Sequence, residues 1–334
     1  NTVTNSGTFT NETSGTLTAS NTVTNFGTFT NDGSFTAVDL ENKETSTFDN
    51  AGTLTASNTV SNYGTFETSE TFSAPTINNS GTFTNTGTLT SINNVINSGT
   101  FANNGTLTLS KVNNTATIEN NETFSATTVN NSGTFTNNKS FTATDVVNNL
   151  TFGNTGTLTA TNTVTNAGTF DNTGTLKASN TVTNSGTFTN ETAGTLTNIN
   201  TVTNFGTFTN DGSFTAVDLE NKETSTFDNT GTLTASNTVT NTGTFTNETA
   251  GTLTASNTVT NYKTFTNDGS FTAVDLENKE TSTFDNAGTL TASNTVTNAG
   301  TFTNETAGTL TNINTVTNYE TFTNDGSFNA VDLE

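Results

Sequence analysis

The sequence contains no cysteine, methionine, histidine, tryptophan or arginine, and its single proline is Pro75. Without cysteine, the chain forms no disulfide and cannot hold a metal through thiolates. No apolar run approaches the roughly 20 residues that a transmembrane helix requires. These absences exclude the disulfide-rich, zinc-thiolate and helical membrane-spanning classes of protein.

Basic residues are also scarce, since seven lysines stand against 29 acidic residues and give a net charge of −22. An acidic chain is repelled by nucleic acid and by anionic membranes, so we expect neither nucleic-acid binding nor membrane insertion. Only 28% of the residues are hydrophobic, a composition typical of disordered chains. The few apolar residues recur at fixed intervals, however, and can therefore fill a narrow, regular core.

The longest repeat is marked by the phrase TFTNDGSFTAVDLENKETSTFDN, which begins at Thr28, Thr207 and Thr264 and, truncated, at Thr321. The last three starts are 57 residues apart. Because a fixed period indicates a solenoid or a similar array, we interpret residues 1–334 as one continuous repeat region. The 57-residue super-repeats occupy 1–57, 180–236, 237–293 and 294–334, and the last of them is incomplete. Diverged coils occupy 58–179.

A shorter unit, N-T-V-T-N-x-G-T-F-T-N-x-x-G-T-L-T-A-S, lies within each block. Its apolar anchors are six residues apart, as at Val23, Phe29 and Phe35. A step of eight, from Leu40 to Phe48, indicates a two-residue corner insertion at Lys43-Glu44. Each anchor lies in a T-F-T, T-L-T or T-V-T triplet, an alternation typical of β-strands, and Gly, Asn or Asp then ends the triplet.

These short strands predict an all-β fold, a single-stranded, three-sided parallel β-solenoid of about 18 coils of 16–20 residues. No segment has the 3.6-residue period of a helix. Identical side chains should stack from coil to coil, and Asn5, Asn25 and Asn62 should form a ladder of hydrogen-bonded amides at one corner. The predicted phenylalanine ladder consists of Phe9, Phe29, Phe48, Phe66, Phe83 and Phe101.

The phrase N-x-G-T-F-T-N-x-G-T-L-T resembles the repeats of filamentous-haemagglutinin-like and autotransporter-type bacterial surface proteins. The resemblance covers nearly the whole chain. It implies a right-handed β-helix, secreted or held at the cell surface, with a role in adhesion, biofilm or surface fibres. The six-residue spacing is also similar to that of the left-handed hexapeptide β-helix, whose acyltransferases usually work with a catalytic histidine that this chain lacks.

Acidic clusters are the only candidates for metal binding or catalysis. Carboxylates suit calcium, and paired carboxylates can hydrolyse a glycoside. A hydrolase has one site, whereas this cluster recurs with the repeat and has a lysine beside each copy, so we predict no enzyme activity and a solvated corner. The clusters consist of Asp39, Glu41 and Glu44, of Asp218, Glu220 and Glu223, and of Asp275, Glu277 and Glu280. The weak calcium candidates among them are Asp39, Glu41, Asp218, Glu220, Asp275 and Glu277.

An aromatic residue precedes the corner glycine, or the residue in its place, in several coils and should face outward, since it follows the inward valine by three residues. Such a stripe can contact a neighbouring molecule or stack on sugars, or the rings can fold over their own corners. These candidates for lateral contact are Phe26, Tyr63, Phe205, Tyr262 and Tyr319.

We predict a structural extracellular fibre or adhesin stalk at the cell surface, without a required cofactor. Asn1 begins in repeat register and Glu334 ends within D-L-E, so we expect a segment of a longer repeat protein or end-to-end self-association. Host or matrix glycans and proteins are further candidate partners. The alternative is an ice-binding solenoid that uses its threonine ladders, and a glycan-binding or glycan-cleaving β-helix is less favoured.

Overall fold

In a computed structural model, which describes residues 2–334 apart from the side chain of Asn312, the chain is all-β. It divides into two compact units, residues 1–160 and 161–334. Each unit contains nine coils, counted by the strands in register with Thr8–Asn11 in unit 1 and with Thr169–Asn172 in unit 2, which matches the predicted total of about 18 coils. No helix that could span a membrane is found among the described residues.

Unit 1 has three strand positions per coil, which we name the Phe, Leu and Val faces after their usual anchors. The strands of the Phe face are Thr8–Asn11, Thr28–Asn31, Thr47–Asn50, Thr65–Thr68, Thr82–Asn85, Thr100–Asn103, Thr117–Asn120, Thr134–Asn137 and Thr151–Asn154. The strands of the Leu and Val faces are Val3–Asn5, Thr16–Thr18, Val23–Asn25, Ser34–Ala37, Leu40–Asn42, Thr53–Ala56, Thr59–Asn62, Thr71–Ser73, Thr76–Asn79, Thr88–Asn97, Thr106–Asn114, Thr123–Asn131 and Ser140–Asn148.

Unit 2 repeats this arrangement, and the strand Thr157–Asn166 includes the division point. Its Phe-face strands are Thr169–Asn172, Thr187–Asn190, Thr207–Asn210, Thr226–Asn229, Thr244–Asn247, Thr264–Asn267, Thr283–Asn286, Thr301–Asn304 and Thr321–Asn324. Its Leu- and Val-face strands are Thr175–Ala178, Thr181–Asn184, Thr195–Asn204, Ser213–Asn221, Thr232–Ala235, Val239–Asn241, Thr252–Ala255, Thr258–Asn261, Ser270–Ala273, Asp275–Asn278, Thr289–Ala292, Thr295–Asn298, Thr309–Asn318 and Ser327–Leu333.

Parallel pairing places like residues on like residues within each unit. Phe29 pairs with Phe48 and Phe48 with Phe66, and the ring centroids are 4.7–4.8 Å apart. The predicted phenylalanine ladder is confirmed from Phe9 to Phe101 and is followed by Ile118. Anchors from Val23 onward are almost completely buried until the last coil, so a narrow core runs through each unit.

Buried asparagines share this core, which the sequence reasoning had filled with apolar residues alone. In a strand such as Thr28–Asn31, alternation turns Phe29 and Asn31 to the same inward side. The predicted ladder is confirmed in unit 1 and is longer than expected, with Nδ2 to Oδ1 distances of 2.8–2.9 Å from Asn5 through Asn25 and Asn42 to Asn62. We call it the first Asn column.

A second Asn column, which begins with Asn11, Asn31 and Asn50, lies at the end of the Phe face. The T-F-T-N pattern contained its signal, since the asparagine stands two residues after the phenylalanine. Each Nδ2 in these columns also donates to backbone carbonyls, as Asn103 does to Gly105 and Thr123 at 3.1 and 2.9 Å. The columns thereby satisfy polar groups that the narrow interior would otherwise leave unpaired.

Separate corners are absent between the Leu and Val faces of some coils, contrary to the expectation of three short strands per coil. In Thr106–Asn114 and Thr123–Asn131, backbone pairing continues on both sides of the expected corner. In Thr106–Asn114 the apolar anchors Leu107 and Val112 lie in one continuous strand, so the two faces share it. The predicted handedness stays a prediction.

Candidate functional site

The corner that follows each Val-face strand carries most of the exposed aromatic rings, and we call it the Val corner. Its residues stack one per coil, because each backbone N–H donates to an asparagine carbonyl of the preceding coil. Phe26 donates to Asn5 at 2.8 Å, and Tyr63 donates to Asn42 at 2.8 Å. In unit 1 the Val corner reads Ser6, Phe26, Lys43, Tyr63 and Ser80, so two rings flank one lysine.

The predicted outward orientation of the aromatic residues is confirmed. Phe26 and Tyr63 in unit 1 are 53% and 45% exposed, and the three rings of unit 2 are 49–71% exposed. A core aromatic in this chain is almost completely buried, so these five rings contribute nothing comparable to the interior. Their role in lateral contact stays a prediction.

Phe26, Lys43, Glu44 and Tyr63 line a groove of about 390 Å³ on unit 1. The Lys43 ammonium lies 2.7 Å from a Glu41 carboxylate oxygen and 5.6 Å from the centre of the Tyr63 ring. This position combines an ion pair with a cation–π contact and holds the lysine against one ring. The groove therefore presents two aromatic surfaces, one tethered cation and one carboxylate.

Unit 2 contains single-ring versions of this corner. Lys222 follows Phe205 by one coil, but the next position is Thr242. Lys279 follows Tyr262, and the next position is Ala299. Both lysines form ion pairs with a glutamate two residues earlier, at 2.6 and 2.5 Å. The fold repeats the lysine and its glutamate, whereas the pair of flanking rings occurs at Lys43.

The predicted corner insertion is confirmed at Lys43-Glu44 and at its two copies in unit 2. In each of these corners the threonine that follows the insertion has a positive φ of 64–65°, and it is Thr45, Thr224 or Thr281. A β-branched residue in this region is strained, because its side chain crowds the backbone. In the first copy the Ser46 hydroxyl lies 2.7 Å from Asn42 Oδ1, so the extended corner is joined to the first Asn column.

The aspartates of the acidic clusters bind neighbouring backbone and side chains. Asp39 Oδ1 accepts hydrogen bonds from Asn58 Nδ2 at 2.8 Å and from the Thr59 backbone N–H at 3.1 Å. Asp218 and Asp275 make the same two contacts and also accept from a threonine hydroxyl. Each aspartate therefore fixes the start of the next Val-face strand.

The glutamates of these clusters, Glu41, Glu220 and Glu277, each form the lysine pair described above. Among the described residues, no three His, Cys, Asp or Glu side chains are gathered so as to hold a metal ion. Calcium binding at the six predicted residues stays a prediction.

The Leu face of unit 1 carries only hydroxyl residues on its outer side over eight coils, from Thr16 to Thr142. The Val face carries charges such as Asp39 and Lys111, and the Phe face carries Asp49 and Glu67. In unit 1 the outer side of the Leu face is therefore uncharged over these coils, whereas the Val and Phe faces carry charged side chains. The outward hydroxyls form two ranks, Thr16, Ser34, Thr53, Thr71, Thr88, Thr106, Thr123 and Ser140 with Thr18, Thr36, Thr55, Ser73, Thr90, Thr108, Ser125 and Thr142.

One carboxyl group of the Phe face has a shifted titration. Asp228 lies between Thr209 and Thr246 in the parallel register. Burial raises the pKa of Asp228, a hydrogen bond with Thr246 opposes that rise, and the nearby Asp211 carboxylate adds to it. The folded chain therefore retains the Asp228 proton to a higher pH than the unfolded chain does.

Comparison with known proteins gives no match to a protein-family model, a curated protein or a solved structure. The sequence reasoning found the five aromatic residues and the acidic clusters, but it missed the groove at Lys43 and the uncharged Leu face. Both have a sequence signal once the coils are aligned in register. Lys43 then stands between two aromatic residues, and every outward position of the Leu face is Ser or Thr through residue 142.

Proposed function

We propose that the protein is a mechanical element, a fibre or adhesin stalk that acts outside the cell or at its surface. The observation that carries this proposal is the linkage of successive coils within each unit by three side-chain columns. Phenylalanine rings stack at 4.7–4.9 Å over most of each unit, and two Asn columns add amide hydrogen bonds at 2.7–2.9 Å at most steps. Extending such a unit requires breaking these contacts coil by coil.

Charge supports the same role. With a net charge of −22, copies of the chain repel one another at long range, which favours individual extended elements over disordered aggregates. The extracellular location rests on the resemblance to bacterial surface repeats.

Single-molecule force spectroscopy of the full chain tests the mechanical role. Peeling one coil of 17–20 residues lengthens the chain by roughly 60 Å, so we expect a series of steps of that size at forces well above those of a disordered chain. A smooth, low-force extension would exclude the mechanical role. Recovery of the protein in the cytoplasm on fractionation of its source cells would exclude the surface location.

Ice binding is a second candidate function, and the uncharged Leu face is the specific observation that favours it. Sixteen outward Ser and Thr residues form two regular ranks there, and all eight of the first rank are exposed. No hydrogen bond joins these side chains to one another or to other residues that the structure describes. A regular array of free hydroxyls beside methyl groups can order water in register with the coils.

Thermal hysteresis measurements distinguish the two functions. If the Leu face binds ice, Thr88→Tyr should abolish hysteresis. Thr82→Tyr places the same bulk at an exposed position of the Phe face and should leave hysteresis intact. A wild-type chain without thermal hysteresis excludes ice binding and leaves the mechanical proposal untouched.

A further inference from the structure

We propose that the groove between Phe26 and Tyr63 is a binding site for a neutral oligosaccharide. This inference does not depend on the mechanical role, because it concerns ligand binding at one corner of unit 1. It rests on four features of the groove, which are its two exposed rings, their spacing, the paired lysine and the unpaired carboxylate.

The two rings at this corner are exposed and are not part of the core. Phe26 and Tyr63 are exposed, whereas other coils place Ser6 or Ser80 at the same position, so the fold does not require a ring there. Aromatic rings provide flat apolar surfaces that pack on the C–H faces of sugars, while polar groups beside them bind the hydroxyls.

The spacing of the rings sets the length of the ligand. Phe26, Lys43 and Tyr63 lie in three successive coils, so the backbone positions of the two rings are two coil spacings apart. One coil spacing is the 4.7–4.8 Å between the stacked rings of Phe29, Phe48 and Phe66. A ligand that packs on both rings must extend over two such spacings. A short oligosaccharide does so, whereas a single small solute reaches one ring only.

Charge restricts the ligand to a neutral one. The Lys43 ammonium is paired with Glu41 and already occupies the cation position at the Tyr63 ring, which disfavours a second cation. The exposed Glu44 carboxylate has no hydrogen bond or ion pair with any residue that the structure describes. It repels anionic sugars and can accept hydrogen bonds from hydroxyl groups.

A second copy of the chain fits the groove less well. Two copies would each bring a charge of −22, and Glu44 lies within the contact. Four residues line the groove, whereas a stable protein interface usually involves about 20–30 residues on each side.

Isothermal titration calorimetry of the full chain with a panel of neutral hexasaccharides tests this inference. The probes are cellohexaose, laminarihexaose, maltohexaose, mannohexaose and chitohexaose, with a hyaluronan hexasaccharide as the anionic control. We expect at least one neutral probe to bind with one site per chain. Phe26→Ser and Tyr63→Thr, which copy residues found at other Val corners, should each weaken binding about tenfold. The anionic control should not bind.

Unit 2 provides a gain-of-function test. Thr242→Tyr places a second ring beyond Lys222 and Phe205, and it should raise the stoichiometry from one site to two. Phe205→Ser in the wild-type background should leave binding unchanged. Circular dichroism confirms that each variant is folded.

Three outcomes would overturn the site. The first is that none of the neutral probes binds at millimolar concentration. The second is that binding survives both ring substitutions or that Thr242→Tyr adds no site. The third is that Tyr63→Thr abolishes self-association in sedimentation velocity without affecting any sugar, since the groove would then be a contact between copies.

Discussion

Thr68 interrupts the second Asn column, and its replacement by asparagine is expected to stabilise unit 1. The Thr68 hydroxyl lies 3.0 Å from Asn50 Nδ2 and takes the place of an Asn oxygen as acceptor. Thr68 lacks the side-chain amide that elsewhere in the column donates to the asparagine of the next coil, which here is Asn85. The Asn85 Oδ1 atom is accordingly buried without a hydrogen-bond partner.

The magnitude follows from that orphaned oxygen. A buried polar group without a partner costs about 1–3 kcal/mol. Thr68→Asn supplies the missing Nδ2 donor and keeps an acceptor for Asn50, while the longer side chain loses some rotamer freedom. The site tolerates the change, because Asn120 occupies the same register position and also has a glutamate two residues later. We expect a net gain of about 1–2 kcal/mol.

Native-state hydrogen exchange is the suitable assay, because a repeat protein of this length does not have to unfold in one step. A gain of 1–2 kcal/mol corresponds to about 5–30-fold slower exchange, and it should be confined to the coils around Asn50 and Asn85. The matched control is Asn103→Thr, which creates the same defect elsewhere in the column by removing the donor to Asn120. It should accelerate exchange by a similar factor.

One combination of results would refute this reasoning. If Asn103→Thr accelerates exchange and Thr68→Asn changes nothing, the Asn85 oxygen is already satisfied by water. If neither variant changes exchange, the Asn columns make no net contribution to stability.

Three further predictions concern the core, one carboxylate and one strained corner. Phe83→Ala removes a fully buried ring that stacks on both sides and should destabilise unit 1 by about 3–5 kcal/mol, measured by native-state hydrogen exchange. Asp228→Asn should stabilise unit 2 at pH 7, because ionising a carboxyl group whose pKa is raised by folding destabilises the folded chain. It should have no effect below the ordinary pKa of 3.8, where the group is protonated in both the folded and the unfolded chain. Thr224→Asn should stabilise its corner by about 1 kcal/mol, measured by hydrogen exchange, since asparagine tolerates positive φ.

Each of these predictions has its own test of specificity. Phe83→Leu should cost less than Phe83→Ala, and equal losses would argue against the stack. Glu320→Gln removes an exposed charge, so a stabilisation equal to that of Asp228→Asn would assign the effect to net charge. The strain at Thr224 is contradicted if Thr224→Asn accelerates local exchange.

Much of the core could be predicted because its rule is local. Alternation in T-F-T fixes which side chain turns inward, and a fixed anchor spacing fixes which residues meet in successive coils. Phe29 therefore had to lie on Phe48. The second Asn column follows the same rule at Asn31, and it was missed because a polar residue is not expected in a core unless its hydrogen-bond partners are known.

The sequence by itself determined the all-β solenoid, the coil length and the outward position of the five aromatic residues, since each depends on spacing along the chain. Only the tertiary structure decided which residues cooperate across coils. Lys43 and Tyr63 are 20 residues apart in the chain, and they meet because a coil of that length returns the backbone to the same corner one spacing later. The orphaned oxygen of Asn85 likewise depends on Thr68, 17 residues earlier, since a hydrogen bond between coils exists only when both members of a register pair can form it.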